Sequence, residues 1–240
     1  MRLKIFFFLS ILMVSPFLTI TGQPEKLFRK ADSLFANQRF SDARNLYASL
    51  FFEQKKSTPA NLLKLAFIEE GMENTVMSIF YLHQYYLFRP DAQVKAKIEE
   101  MATQNKLVGF SVDEADYAYF LYRVYGPYLE LGLLAFGVLI FLFLLYRKIN
   151  KVSLGYTPVF TFIFLVSAAY MLNFHIPYKR AVLSTDRIFL MSGPSAGSSV
   201  VDVLTKGHRV EWIGESDIWY EIKWNEKKGW VKKSELLFFM

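Results

Sequence analysis

The stretch LGLLAFGVLIFLFLLY, residues 131–146, carries no charged side chain over 16 positions. A second stretch, from Val152 to Tyr178, is uncharged over 27 positions, and RKINK (147–151) separates the two. A helix needs about 20 apolar residues to cross the hydrocarbon core of a bilayer, with a range of about 17 to 25. The sequence therefore predicts a two-helix transmembrane hairpin, with helices over 128–147 and 154–176 joined by a loop at 148–153.

Tyrosines flank both stretches, among them Tyr128, Tyr146, Tyr156 and Tyr170. Such rings are common at the interface of a membrane with water, where the hydroxyl stays hydrated. The alternative is a pair of buried core helices. We disfavour it because a chain of 240 residues has too little other apolar surface to wrap two helices that are apolar all round.

The net charge of +6 could suggest a nucleic-acid partner, but its distribution argues against one. Residues 23–127 hold 13 basic and 13 acidic side chains, and residues 177–240 hold 10 and 8. The remaining excess sits at the ends of apolar segments, where basic residues set membrane topology. We therefore predict the membrane bilayer, and no nucleic acid, as a partner.

Residue types suited to catalysis or metal binding are sparse. The chain has no cysteine, and His83, His175 and His208 lack the spacing of a helical metal pair. The acidic clusters are interpreted as solvated helix faces or caps, and they comprise Glu69–Glu70, Glu99–Glu100 and Asp113, Glu114 and Asp116. A hydrolase would need a nucleophile beside a base, or a paired set of carboxylates in a pocket. We predict no enzyme, no metal and no cofactor.

The first 22 residues have the composition of a secretory signal peptide. Arg2 and Lys4 precede an apolar run from Ile5 to Leu18, and small or polar residues follow. Cleavage near Gly22 and retention as an uncleaved anchor both remain open. Because the basic loop Arg147–Lys151 favours the cytoplasm, we expect a multi-pass protein of the bacterial inner membrane with both soluble domains in the periplasm. Lys179 and Arg180 count against this orientation.

Residues 23–107 are predicted to be helical, with few Gly or Pro and a repeat of 35 residues. The repeat aligns Leu27 with Leu62, Ala31 with Ala66 and Tyr47 with Leu82. Helices are expected to start at Ser41 and at Thr58–Pro59, and a third, Asp91–Lys106, to cover the end of the array. The pattern resembles the tetratricopeptide repeat, whose concave face binds peptides. The candidate groove residues are Asn37, Asn61 and Lys64, and a plain helical bundle is the alternative.

Residues 108–127 (VGFSVDEADYAYFLYRVYGP) form a tyrosine-rich segment next to the first apolar stretch. We predict an interfacial helix or elbow that brings the repeats onto the bilayer. An aromatic box that binds a ligand is the alternative.

Residues 180–240 change to short β-rich runs separated by turn residues, which predicts a small all-β barrel. Ser192-Gly193-Pro194-Ser195, Trp219 with Glu221 and Ile222, and Gly229-Trp230-Val231 follow in this order. Their order and spacing resemble the bacterial Src-homology-3 (SH3) domain, which implies peptide or cell-wall binding. The resemblance also implies that Gly229 permits a tight turn, that Trp230 plugs the barrel and that Trp219 is a core or binding aromatic.

The whole chain is thus multidomain: α-helical repeat hairpins, a two-helix transmembrane hairpin and a small SH3-like barrel. This order resembles the BatE-type family of aerotolerance membrane proteins. The resemblance implies an accessory protein that acts beside von Willebrand factor A-type membrane proteins. We predict a non-catalytic envelope scaffold that binds protein partners, with peptidoglycan binding through the SH3-like domain as the alternative.

Overall fold

The computed structural model describes residues 22–111, 113–151, 155–173 and 178–239. Residues 1–21 of the predicted signal peptide (1–22), part of the predicted loop at 148–153 and both ends of the predicted helix at 154–176 lie outside these residues. The chain divides into two compact units, Met1–Glu73 and Asn74–Met240.

The first unit contains three helices, α1 (Gly22–Ala36), α2 (Phe40–Phe52) and α3 (Pro59–Gly71). Helix α3 begins where the sequence predicts, with the Thr58 hydroxyl accepting a hydrogen bond from the Asn61 backbone N–H at 3.3 Å. Helix α2 begins at Phe40, one residue before the predicted Ser41. The helices bury a shared apolar core that includes Ala31, Ala43, Tyr47, Leu50, Leu62, Leu65 and Ala66.

The second unit opens with α4 (Thr75–Phe88) and α5 (Ala92–Gln104). Asp91 caps α5 by accepting from the backbone N–H of Gln93 at 2.8 Å, so the predicted third helix is present. Ten consecutive residues of α4, from Ser78 to Leu87, are buried, which makes α4 a central helix of this unit. The helical character of residues 23–107 is confirmed, and their membership in the tetratricopeptide family stays a prediction.

Helix α6 (Glu114–Ile149) has 36 residues and is therefore about 54 Å long. Asp113 caps it, and a reciprocal bond between Asp113 and Asp116 completes a capping box. The helix continues through Pro127. Residues 114–127, the larger part of the predicted juxtamembrane segment, are thus the first turns of α6.

Among the described residues, α6 is the one helix long and apolar enough to cross a membrane. Helix α7 (Thr157–Asn173) is apolar but has only 17 residues, so the second span stays a prediction. The two helices touch where the rings of Phe136 and Phe164 pack edge to face at 5.1 Å. The most apolar part of α6 has none of its residues buried, so the alternative of a buried core helix is wrong for α6.

Seven strands follow: β1 (Arg180–Leu183), β2 (Ile188–Met191), β3 (Val200–Leu204), β4 (Arg209–Ser216), β5 (Trp219–Trp224), β6 (Lys227–Lys232) and β7 (Leu236–Phe238). They form one antiparallel sheet in the order β3-β2-β6-β5-β4-β1-β7. All seven strands contribute to a single core, which includes Leu183, Leu190, Leu204, Val210, Ile222, Val231 and Leu236. The sheet therefore wraps around its own apolar centre.

Two roles implied for the closing Gly-Trp-Val motif are wrong. Gly229 lies inside β6, opposite Ile222, rather than in a turn. A Cβ at Gly229 would lie 2.6 Å from Cγ of Leu190, so glycine is needed there for close packing of β6 on β2. Trp230 is only half-buried and is not part of the core, because its position in β6 faces away from the enclosed side.

Candidate functional site

A groove of about 150 Å³ lies on the sheet beside β2, the start of β5 and the end of β6. Its walls are mainly apolar, and two charged side chains stand at its rim. The lining residues are Phe189, Met191, Ala196, Trp219, Lys232 and Glu235.

Trp219 is the aromatic residue of β5 that lines this groove. It is 8% exposed and is the first residue of β5, directly after the turn in which Asp217 has φ +55°. The Lys232 ammonium lies 5.8 Å from the centre of the Trp219 ring, within the range of a cation–π contact. Glu235, in the short 3₁₀ turn Lys233–Glu235, accepts from the backbone N–H of Lys232 at 3.0 Å. An aromatic lining with fixed charges at its edge suits a peptide better than a reaction centre.

A comparison with models of known families identifies the β-rich part of the chain. Residues 186–237 match the model of the bacterial SH3 domain family. The match covers β2 to β7 and the whole groove, and we call residues 180–239 the SH3-like domain. No curated protein matches the chain.

Of the four predicted binding residues, Asn37, Asn61 and Lys64 belong to the first unit and Trp219 to the second. Trp219 lines the groove. Asn37 follows α1, where its side-chain amide donates to the Ser33 carbonyl at 2.9 Å, and Asn61 is 6% exposed at the start of α3. Lys64 pairs with Asp32 at 2.6 Å. Partner binding by these residues stays a prediction.

The Lys64–Asp32 pair joins α3 to α1 inside the first unit. The Tyr47 hydroxyl also donates to Asp32, and the Lys64 ammonium lies 5.6 Å from the Phe35 ring centre. Partial burial alone would raise the pKa of Asp32, but the bonds from Lys64 and Tyr47 lower it below its usual range. Burial, together with Asp32, raises the pKa of the Tyr47 phenol. Lys64 is therefore committed to an internal cluster.

A buried cluster of polar side chains joins the SH3-like domain to α4 and α6. At its centre is Asp116, which is fully buried. Asp116 accepts from Nη1 of Arg209 at 3.1 Å, from Nη1 of Arg180 at 2.8 Å and from the Tyr178 hydroxyl at 2.5 Å. His83 of α4 completes the cluster. We call Asp116, His83, Tyr178, Arg180 and Arg209 the polar joint.

The bonding of His83 follows from the chemistry of its neighbours. Arginine has only donors, and Nη1 of Arg209 lies 2.8 Å from Nε2 of His83, so this nitrogen must accept. His83 is therefore neutral. The Tyr178 hydroxyl lies 2.8 Å from the same nitrogen, and because the one lone pair of that nitrogen faces Arg209, the hydroxyl donates its single proton to Asp116. Complete burial, followed by the charges of Arg209 and Arg180, holds the pKa of His83 well below 6.5.

Arg209 also fixes the segment that precedes α6. Its Nη2 donates to the Ser111 carbonyl at 2.7 Å, and its Nε donates to the Gly109 carbonyl. Its backbone N–H donates to the Val108 carbonyl at 2.9 Å. Gly109 has φ +91°, and a Cβ there would lie 2.1 Å from the carbonyl oxygen of Arg209. Only glycine permits this approach.

Arg180 closes the exposed side of the joint. Its Nη2 donates to the Asp113 carboxylate, the cap of α6. Burial works to raise the pKa of Asp113, but the hydrogen bond from Arg180 and the backbone bond within the cap lower it below 3.8. Two arginines thus face two aspartates, of which Asp116 is buried and Asp113 is 48% exposed, so each arginine has a carboxylate partner, as buried ionic groups require.

Apolar contacts flank the polar joint. Phe239, which follows β7, stacks on Phe80 of α4 at 5.0 Å between ring centres and lies 4.8 Å from the His83 ring. The turn at Gly207 contacts Leu107 and Val76 so closely that a Cβ there would lie 2.9 Å from each side chain. The SH3-like domain is therefore seated on the helices of its own unit. None of the groove residues takes part in this seating.

A cavity of about 360 Å³ opens beside the joint, between the first turns of α6 and the start of β1 and β4. Tyr119, Lys179 and Glu211 line it together with Tyr178 and Arg180 of the joint. Solvent reaches the polar joint from this side, because the Arg180 side chain lines the cavity and is 17% exposed. The groove and this cavity lie on different parts of the SH3-like domain.

The interpretation of Glu69 as part of a solvated helix face is wrong, because Glu69 is 1% exposed and pairs with Arg44 of α2 at 2.6 Å. Asp113 and Asp116 cap α6, as predicted, but Asp116 is also fully buried. The sequence carries a local signal for the cap, but the partners of Asp116 lie 62 to 93 residues away. The absence of metal, cofactor and catalysis stays a prediction.

Proposed function

We propose that this chain is a non-catalytic, membrane-anchored scaffold of the bacterial envelope that binds a protein partner through its SH3-like domain. The observation that carries the proposal is the groove over Trp219. Its apolar walls and its two rim charges, Lys232 and Glu235, match what a short peptide offers: side chains for the walls and polar backbone for the rim.

The rigid seating of the domain supports a scaffold role. A domain on a flexible linker samples many orientations, whereas the polar joint holds this one against α4 and α6 through buried bonds to Asp116. A bound partner would therefore be presented in a fixed orientation to the helices. Preorganisation of this kind reduces the entropy lost on binding.

The membrane arrangement is part of the proposal. Helix α6 supplies one apolar span, and α7 supplies the second if the uncharged stretch continues its helix to about 20 residues. With the basic residues Arg147, Lys148 and Lys151 in the cytoplasm, both soluble parts would lie in the periplasm at the inner membrane. By its resemblance to the BatE-type family, the scaffold would act in an aerotolerance complex with von Willebrand factor A-type membrane proteins.

The test blocks the groove without disturbing the core. Ala196 is exposed at the groove, and Ala196→Glu would fill it with a charged side chain. We expect cross-linking in native membranes to recover envelope proteins with the wild-type chain and with Ala96→Glu, a matched change on the exposed side of α5. Ala196→Glu should recover at least tenfold less. Equal recovery by both variants would rule out the groove as the binding site.

Peptidoglycan binding is the second function, because bacterial SH3 domains commonly bind either peptidoglycan or proteins. Sedimentation of the detergent-solubilised full chain with purified sacculi tests it. Co-sedimentation of the wild type that Ala196→Glu abolishes would favour wall binding through the same groove. A chain that stays in the supernatant would exclude it.

A further inference from the structure

The two histidines that the structure describes both lie where the SH3-like domain meets the helices of its unit. His83 belongs to α4 and to the polar joint, and His208 directly precedes β4. The third histidine, His175, lies outside the described residues. We call this contact the seam. It comprises the polar joint, residues 207–209 and the segment 107–111 that they touch.

His208 ties the segment before α6 to the domain. The backbone N–H of Val108 donates to Nδ1 of His208 at 3.0 Å, and the Thr205 hydroxyl lies 3.0 Å from Nε2. Because a backbone N–H can only donate, Nδ1 carries no proton, and His208 is the neutral tautomer protonated at Nε2. His83 is constrained in the same way, since its Nε2 accepts from Arg209. Each histidine thus accepts a hydrogen bond across the seam.

A proton on either accepting nitrogen would break the hydrogen bond that it now receives. At His208 the new N–H would face the N–H of Val108, and at His83 it would face the guanidinium of Arg209. Two donors cannot bond to each other, and a buried donor that loses its acceptor is costly. Protonation therefore weakens the seam at two separate points.

Charged groups surround the ring of His83. The titratable groups that face it in the described part of the chain are Asp116 of α6, Arg180 of β1, Arg209 of β4, Tyr178 and Tyr86. The Asp116 carboxylate lies 3.8 Å from Nε2 and favours a proton there. Complete burial, followed by the two arginines, opposes it. A proton on His83 is therefore unfavourable while the seam is closed.

The ring of His208 contacts uncharged groups. It lies 4.9 Å from the Trp224 ring, between ring centres, and it contacts the Thr205 hydroxyl. Lys206, in the same turn, pairs with Asp186 at 3.1 Å, so its ammonium group is directed elsewhere. Burial is the cause that lowers the pKa of His208.

The geometry points to an acid-sensitive latch, in which protonation of His83 and His208 releases the SH3-like domain from the helices while the domain stays folded. The core of the domain is drawn from its own seven strands and contains neither histidine, so the sheet does not depend on the seam. Release would exchange the fixed orientation of the domain for a mobile one. The latch concerns the seating of the domain and does not rest on what the groove binds.

The pH range of the latch depends on which state holds more protons. In the seated state burial and the two arginines hold the pKa of His83 well below 6.5, and burial lowers that of His208. After release both pKa values return toward 6.5. The released state therefore binds more protons, so seating is favoured above pH 6.5 and is lost as the pH falls below it. Each histidine reduces the ratio of seated to released chains by at most about tenfold per pH unit.

Amide hydrogen exchange in the detergent-solubilised full chain, from pH 7 to pH 5, tests the latch. The protection factor corrects the exchange rate for the intrinsic effect of pH and reports how often each amide opens. Val108 reports the seam. Ile222, which is 0% exposed on the central strand β5, reports the core of the domain. Asn61, whose backbone N–H is held by the Thr58 hydroxyl, is the control amide.

We expect the protection factor of Val108 to fall at least tenfold from pH 7 to pH 5 and that of Asn61 to stay constant. Val108 should also be at least tenfold less protected than Ile222, because release precedes unfolding of the domain. Equal protection of Val108 and Ile222 would mean that the seam opens only when the domain unfolds, which overturns the proposal. Protection of Val108 that is independent of pH would overturn it as well.

Two substitutions separate the histidines from other acid-sensitive groups. His83→Gln and His208→Asn each place an amide oxygen near the accepting nitrogen, and neither amide takes up a proton in this pH range. The double variant should keep the protection of Val108 constant. A fall as large as in the wild type would assign the effect to carboxylates and overturn the proposal. If the double variant lacks protection at pH 7, the single variants decide: a shallower pH dependence in each supports the latch, and the wild-type dependence in both overturns it.

Discussion

Asp116 and Arg209 form a buried ion pair, Oδ2 to Nη1 at 3.1 Å, between residues 93 positions apart in the chain. Asp116 lies in the first turn of the helix that continues into the apolar span, and Arg209 opens β4 of the SH3-like domain. The pair therefore fixes the SH3-like domain to the first turn of α6. Its energetic importance follows from the cost of burying either charge alone.

Removing the acid should destabilise the SH3-like domain strongly. In Asp116→Ala, Arg209 and Arg180 lose their shared acceptor, and an unpaired buried charge costs about 3–5 kcal/mol. All four tryptophans of the chain lie between Trp212 and Trp230, inside this domain. Tryptophan fluorescence during denaturant unfolding of the detergent-solubilised chain therefore measures the domain directly. We expect the free energy of unfolding to fall by about 3–5 kcal/mol.

A matched surface pair provides the control. Arg29 and Glu25 lie 2.6 Å apart with side chains 78% and 63% exposed, and exposed pairs contribute about 0–1 kcal/mol. Glu25→Ala should leave the tryptophan transition unchanged. If Asp116→Ala also leaves it unchanged, the polar joint does not hold the domain in place.

Acid should weaken the joint through His83. The pKa of His83 is held well below 6.5 in the folded chain, whereas an unfolded histidine takes up a proton near pH 6.5. The unfolded state therefore binds more protons below pH 6.5, and the free energy of unfolding falls as the pH drops from there. Protonation of His83 can lower the free energy of unfolding by at most about 1.4 kcal/mol for each pH unit. Equilibrium unfolding monitored by tryptophan fluorescence from pH 8 to pH 5 measures it.

Two variants separate the contributions to this slope. Burial also lowers the pKa of His208, so both histidines act in the same direction. His83→Gln should flatten the pH dependence and leave only the part due to His208, and His208→Gln should leave the larger part. An unchanged slope in His83→Gln would contradict the neutral state assigned to this residue.

Gly109→Ala should be strongly destabilising although it adds only one methyl group. The new Cβ would lie 2.1 Å from the Arg209 carbonyl oxygen, and the φ of +91° is unfavourable for alanine. We expect a loss of at least about 2 kcal/mol in the same fluorescence assay, in line with strain at a special backbone conformation. At Gly71 a Cβ meets nothing within 4 Å, so Gly71→Ala should have no such effect. A stable Gly109→Ala variant would mean that this contact is not maintained in solution.

The proposed orientation in the membrane predicts which positions a reagent added from outside can label. The chain has no cysteine, so single cysteines can be introduced without background. A membrane-impermeant thiol reagent applied to spheroplasts should label Ser195→Cys, beside the groove, and should spare Lys148→Cys until the membrane is lysed. Labelling of Lys148→Cys alone in intact spheroplasts would reverse the proposed orientation.

Local chemistry made much of the fold predictable. Thr58 followed by Pro59 marks one helix start, and Asp91 directly precedes another, so that each cap lies next to the first residue of its helix. Alternating apolar residues and turn signals likewise predict the small β domain. They leave Trp219 open between a core and a binding aromatic, and the structure places it among the residues that line the groove. These features depend on residues that are adjacent in sequence, so a single sequence is enough to predict them.

The polar joint could not be predicted in the same way. Asp116 occurs three residues after the capping Asp113, and this spacing explains it fully as a cap residue. Nothing near Asp116 in sequence indicates that Arg180 and Arg209 contact it. His83 likewise lies in a helix, α4, that has no Asp, Glu, Lys or Arg. Gly229 and Trp230 were misassigned for the same reason, since the decisive contact of Gly229 is with Leu190 on another strand.

Adjacent residues alone specify the apolar stretch of α6, the helical first half and the β-rich end, because hydrophobic runs, periodicities and caps are local properties of a chain. The seating of the SH3-like domain on α4 and α6 is visible only in the folded chain, because it depends on which distant side chains share a buried volume. Burial converts Asp116, an ordinary helix-cap residue by sequence, into the shared partner of two arginines.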